Sequence, residues 1–156
     1  MTNSSNLASQ DRRVNAGLLV LRVGLGASLL LIFGLQKLQA GWAFFHTGQW
    51  QFVDFNRKMG LPAPVLAAYL QTLNESVAAL LLACGFLTRY AAASLALGFA
   101  VATYCSLKAA EPAWLMAAYI CIMSVTFVLT GPGKFSIDSL LESRAGTASE
   151  SPAPPK

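Results

Sequence analysis

The 156 residues are 55% hydrophobic and 12% charged, with a mean hydropathy of +0.54. An ordinary soluble domain carries about a quarter charged residues, so this composition argues against a soluble globular class and for one compact membrane domain. The net charge of +4 is no nucleic-acid footprint, because the basic residues are scattered between apolar runs and form no patch.

In chain order, residues 1–13 read as a disordered N-terminal arm, polar through Gln10 and closing on Asp11-Arg12-Arg13. A first span is predicted over residues 14–35. Its apolar run outlasts the h-region of a signal peptide, and no small-residue cleavage site ends it, so it reads as an uncleaved signal-anchor. The Val14-Asn15-Ala16 that follows the twin arginines is a poor match to a twin-arginine export signal. Gly24 and Ser28 are four apart and give one face on which another backbone can approach closely. Arg22 sits inside this span with two readings open. It snorkels to the near interface, or it pairs with Glu75 of the second span. If the two spans are antiparallel and share an edge, the residues differ in depth by about four positions, ~6 Å of helix.

The connection over residues 36–64 is the longest and holds Trp42, Phe44, Phe45, Trp50, Phe52 and Phe55. Aromatics this dense beside a span mark the headgroup level. Phe52, Phe55 and Met59 fall on one helical face while Asp54, Arg57 and Lys58 face elsewhere, and Gly60-Leu61-Pro62 supplies a stop. This pattern predicts a short amphipathic helix in the interface. Such a helix either lids the bundle or frames a lateral entrance for a lipid-soluble ligand. His46, the only histidine, has no second histidine or thiolate cluster with which to hold a metal. It reads as an interfacial polar residue.

A second span is predicted over residues 65–87, about 34 Å at the helical rise. Near its middle sits Asn74-Glu75. A carboxylate at that depth costs at least ~2.5 kcal/mol on insertion scales, so something must satisfy it. Gln71, Glu75 and Ala79 share one face, with Thr72 three before Glu75, so the polar stripe must point into the protein. Spans three and four are predicted over residues 90–107 and 113–130. In span three Ser94, Gly98, Ala102 and Ser106 recur every four residues, a helix-packing stripe. Cys84, Cys105 and Cys121 lie inside apolar spans without paired spacing and read as small packing residues. Gly131-Pro132-Gly133 stops the fourth span. Residues 142–156, rich in Ser, Ala, Pro and Gly, read as a disordered tail. With the N-terminus inside, Arg12, Arg13, Arg89, Lys134, Arg144 and Lys156 flank the inner side, against Lys37, Arg57, Lys58 and Lys108 outside. The excess predicts both termini in the cytoplasm.

The motif Gly131-Pro132-Gly133-Lys134-Phe135-Ser136-Ile137-Asp138 resembles the closing motif of the DoxX family of small bacterial membrane proteins. Other pieces agree in order. Arg22 sits in span one, and Gly34-Leu35-Gln36-Lys37-Leu38 resembles the glycine-to-lysine motif after it, with Phe33 where a histidine is common. Met59-Gly60-Leu61-Pro62 resembles the family's loop. Glu75 takes the acidic position, and Gly85-Phe86-Leu87-Thr88-Arg89 resembles the turn that follows. The resemblance covers residues 16–141. It implies an all-α, four-helix transmembrane bundle over residues 14–141 in the bacterial cytoplasmic (inner) membrane, with the lipid bilayer and a protein complex or a homo-oligomer as partners. Some members of the family are subunits of a thiosulfate:quinone oxidoreductase, and others join membrane-associated oxidative-stress complexes.

A quinone site needs an apolar slot open to the bilayer and polar groups that exchange protons with its two oxygens. Arg22, Lys37, Gln71 and Glu75 are the candidates. Arg22 would hold a quinone oxygen, Glu75 would donate a proton if burial raises its pKa, and Lys37 would sit at the outer mouth. The chain has no dinucleotide fingerprint, iron–sulfur spacing or haem pair. A redox role is therefore that of a subunit whose partner oxidises the donor. The alternative is a non-catalytic scaffold or assembly factor, in which Arg22 and Glu75 lock helix register and residues 131–138 dock a cytoplasmic protein. A small transporter is a third reading, from the intramembrane charge. Against it, four spans enclose little volume and no broken helix is visible.

Overall fold

The computed structural model describes residues 2–149, and among them all regular structure is helical. The first rod is far longer than a single span. Helix α1 (Thr2–Ser28) passes through a π-helical segment (Leu29–Gly34) directly into α2 (Leu35–Thr47). No proline precedes Pro62, and nothing else before Gly48 breaks the helix. Gly48, left-handed at φ 65°, ends it by donating its N–H to the Phe44 carbonyl. Two expectations are corrected here. The predicted connection over residues 36–64 is helical through Thr47, and the predicted disordered arm over 1–13 is helical from Thr2. The same holds at the other end, where α8 (Ile137–Ser149) runs into the expected tail. The rest of that tail, residues 150–156, lies outside the described residues.

Three helical stretches are long and apolar enough to cross a membrane: Ser9–Thr47, Pro64–Cys84 and Thr88–Lys108. The first has 39 residues, about 58 Å, which exceeds even a bilayer with its headgroups. Trp114–Thr130 is apolar but shorter.

The second rod runs antiparallel to the first as α4 (Pro64–Leu73), a second π segment (Asn74–Ala78) and α5 (Ala79–Cys84). The two π segments pack against each other. Gly26 and Gly34 set this register. A Cβ on Gly26 would lie 2.5 Å from the Ala79 carbonyl oxygen, and one on Gly34 would lie 2.8 Å from that of Glu75. Helices α6 (Thr88–Lys108) and α7 (Trp114–Thr130) form the most extensive pairing in the fold. Leu29, Ala79, Leu82, Ala92, Leu95 and Phe127 are the buried apolar centre of these layers.

Helix α3 (Gln51–Lys58) forms where the aromatic spacing predicts it and folds back on α4. Trp50, Val53 and Ala68 make a second small core there. The Tyr69 hydroxyl fastens α4 to α2 by donating to the Gly41 carbonyl at 3.0 Å.

Candidate functional site

Arg22 and Glu75 are both buried, at 2% and 3% exposure, but they are not partners. Arg22 lies beside Gly85, whereas the residue packed on Glu75 is Gly34. Those two positions on the first rod are twelve residues apart, about 18 Å of helix. The expected Arg22–Glu75 pair is therefore corrected, and so is the snorkelling alternative. The depth comparison assumed that Val14 and Leu87 share an edge. In the structure the first rod overshoots the Gly85 turn, and residues 131–138 pack beside Asn15 and Leu18 in the extra length.

Arg22 instead closes a clasp on its own chain. Its Nη1 donates to the Pro132 carbonyl and its Nη2 to the Phe135 carbonyl, both at 2.6 Å. Gly85 makes room, since a Cβ there would lie 2.6 Å from Arg22 Cζ. From the same motif, Asp138 accepts from the N–H groups of Leu87 and Thr88 and from the Thr88 hydroxyl. Its own N–H donates to the Gly85 carbonyl at 3.0 Å. Asp138 thus caps α6 at its positive end. Burial pushes its carboxyl up. The donors from Thr88 and Leu87, with the nearby Arg22 charge, outweigh that and hold it below its ordinary value.

Glu75 is satisfied from the other side. Lys37 Nζ lies 2.7 Å from both carboxylate oxygens. Gln71 Nε2 donates to Oε1 at 2.9 Å. Only Oε1 receives these donors in hydrogen-bonding geometry; Oε2 has no such donor among the described residues. Lys37 also sits over the Phe52 ring, 4.1 Å from its centroid, a cation–π contact. The neighbouring Asn74 serves a different helix. It accepts from the Ser94 hydroxyl at 2.8 Å and donates to the Ser94 carbonyl at 3.1 Å. Consecutive helical residues point about 100° apart, so one pair of residues ties the second rod to α6 and also feeds the site.

The triad of Lys37, Gln71 and Glu75 lines a cavity of about 300 Å³. Phe33 and Ala67 contribute from the two rods, Phe52 and Phe55 from α3, Phe99 and Ala102 from α6, and Met116 from α7. The stripe expected to pack helices does so at Ser94 and Gly98, against Asn74 and Gln71 of the second rod, and Gly98, Ala102 and Ser106 also form a wall of this cavity. Gly98 matters most, because a Cβ there would collide with the Asn74 amide and crowd Gln71. The site thus combines three of the four expected residues and leaves out Arg22. Phe52, Asn74 and Gly98 were not legible as site residues. The signal for Lys37 was the resemblance of Gly34-Leu35-Gln36-Lys37-Leu38 to a glycine-to-lysine motif.

The remaining candidates contribute little. His46 is exposed and touches the edge of Trp42. Cys84, Cys105 and Cys121 are free thiols. No group of three or more His, Cys, Asp or Glu side chains suited to a metal occurs among the described residues.

A family model described as DoxX matches residues 17–108, a stretch that includes Arg22, Lys37, Gln71 and Glu75. No curated protein and no solved structure matches the chain.

Proposed function

The chain belongs to the DoxX family, and from that premise we propose that it is an inner-membrane accessory subunit of a redox or oxidative-stress complex, holding a quinone-type lipid at Glu75. The observation that carries this reading is the Lys37–Gln71–Glu75 triad in a mainly apolar cavity of about 300 Å³. Ligand pockets combine a mainly apolar lining with a few well-placed polar groups in this way. The aromatic rings of Phe33, Phe52 and Phe55 suit a flat ring, and the triad suits its oxygens.

In this reading the chain binds the ring, orients it and excludes water. Glu75 and its ion-pair partner Lys37 form the polar end at which the ring oxygens sit, and the two protons that accompany the two electrons of quinone reduction enter there. Electrons come from a partner protein. Arg22 has no part, because its guanidinium is engaged by residues 132 and 135.

The membrane arrangement belongs to the same proposal. Trp114–Thr130 is the fourth span, supported by its pairing along α6. Helix α3 lies in the interface. It buries Val53 and Asn56 and turns its Asp54–Arg57 pair outward. With Lys37 inside the protein, the outer flank retains only Arg57, Lys58 and Lys108, which strengthens the assignment of both termini to the cytoplasm. The second reading is a non-catalytic scaffold, favoured by the clasp of Arg22 and residues 131–138. That clasp builds a rigid inner surface without any ligand.

Extraction of native membranes in mild detergent separates the two. Bound quinone is assayed by chromatography and co-purifying proteins are identified, for the wild type and Glu75→Gln. The redox subunit predicts near-stoichiometric quinone that falls in the variant. Partner proteins without quinone, unchanged in the variant, would favour the scaffold.

A further inference from the structure

The two oxygens of Glu75 are not equivalent. A carboxylate offers about four lone-pair sites. Oε1 takes hydrogen bonds from both Lys37 and Gln71, while Oε2, buried, is faced by the Lys37 ammonium 2.7 Å away but receives no hydrogen bond from it. Gln71 spends one of its two amide N–H groups on Glu75, and its carbonyl oxygen is a second acceptor beside Gly98. Lys37 is the one strong donor at the site. It is held between the carboxylate and the Phe52 ring, which leaves it few free directions. The polar end of the cavity therefore holds one buried acceptor, Oε2, whose hydrogen-bonding capacity the protein leaves unused.

A quinone brings only carbonyl acceptors. A hydroquinone brings O–H donors on the same ring. We infer that the cavity discriminates by redox state and binds the reduced, hydroxyl-bearing form in preference to the quinone, with Glu75 Oε2 accepting from the ligand hydroxyl. This rests on the quinone-type reading above and adds its direction. Sites built to hydrogen-bond a hydroxyl reject analogues lacking it by up to ~10⁴–10⁵-fold; the Lys37 donor softens that here, and a preference of at least ~10-fold is expected.

The test uses the full chain in lipid nanodiscs under anaerobic conditions. A short-tailed hydroquinone and its matched quinone are titrated separately by calorimetry. A Kd for the hydroquinone at least ~10-fold below that of the quinone supports the inference. Equal affinities, or tighter quinone, would overturn it and leave the quinone-type reading standing. Binding of neither would overturn both. In Glu75→Gln an amide replaces the acceptor pair, and hydroquinone affinity should fall further than quinone affinity, so that the preference vanishes or inverts. Should that variant fail to fold, the neutral pair Lys37→Met with Glu75→Gln removes the stranded charge and should show the same loss. A hydroquinone preference that survives in either folded variant would show that Glu75 does not read the hydroxyl, and would sink the inference.

Discussion

Replacing Lys37 by Met strands Glu75. The carboxylate is 3% exposed, and its remaining hydrogen bond would be the single one from Gln71. Removing one member of a buried ion pair costs about 3–5 kcal/mol, mostly through the charge left behind, while replacing both members by neutral groups is often close to neutral. The double variant Lys37→Met with Glu75→Gln should therefore recover most of the loss, a coupling of up to ~3 kcal/mol. The same cycle on Arg22 and Glu75 should give additive effects, because residues more than ~7–10 Å apart without shared partners rarely couple. Reversible unfolding in mixed micelles measures all of these variants. Strong coupling of Glu75 to Arg22 with none to Lys37 would refute the register of the two rods and the site built on it.

Other outcomes follow from the same contacts. Gly26→Val should destabilise the fold by at least ~1–3 kcal/mol through overpacking, since even a Cβ there meets the Ala79 carbonyl oxygen at 2.5 Å; the same micelle assay reads it. Asp138 has its folded pKa below the ordinary 3.8, so its contribution is complete above the unfolded value and is lost as pH falls through the folded one. Protease resistance of residues 131–138 should fall over that acid range in the wild type, and Asp138→Asn should be susceptible already at neutral pH. Gly98→Val should fill the cavity against Asn74 and Gln71 and abolish ligand binding in calorimetry, with helical content by circular dichroism unchanged. Arg22→Gln should loosen the same 131–138 segment to protease without changing affinity at the Glu75 cavity.

Much of the fold was legible because hydrophobic length and glycine position report directly on it. Helix α3 followed from Phe52, Phe55 and Met59, and the turn at Gly85 from the resemblance of residues 85–89 to a family turn, although the second span was expected to run on to residue 87. The error at Arg22 came from treating span edges as a common ruler. Residues 36–47 carry no proline or cluster of turn residues, which is the mark of a continuing helix, but their dense aromatics were read as an interfacial connection, and Lys37 was placed at its outer mouth. The two π segments have no composition of their own; Leu29–Gly34 reads as an ordinary apolar helix. Their register emerges only when Gly34 meets the Glu75 backbone. The need for a partner to Glu75 was plain from its depth, but its identity depended on which lysine or arginine the register brought level. The small stripe at Gly98 and Ala102 was recognisable, yet spacing alone does not say whether a neighbouring helix or a cavity fills the room it leaves.

The central claim is that the Glu75 cavity holds a quinone-type ring, and photolabelling tests it most directly. Membranes containing the full chain are irradiated with a photoreactive short-tailed quinone analogue and the labelled peptides are mapped. The account predicts label on cavity residues such as Phe33, Phe55, Ala102 and Met116, displaced by excess unlabelled ligand and absent in Gly98→Val. Label confined to outward-facing residues such as Val20, Leu97 and Leu129, and not displaced, would contradict it.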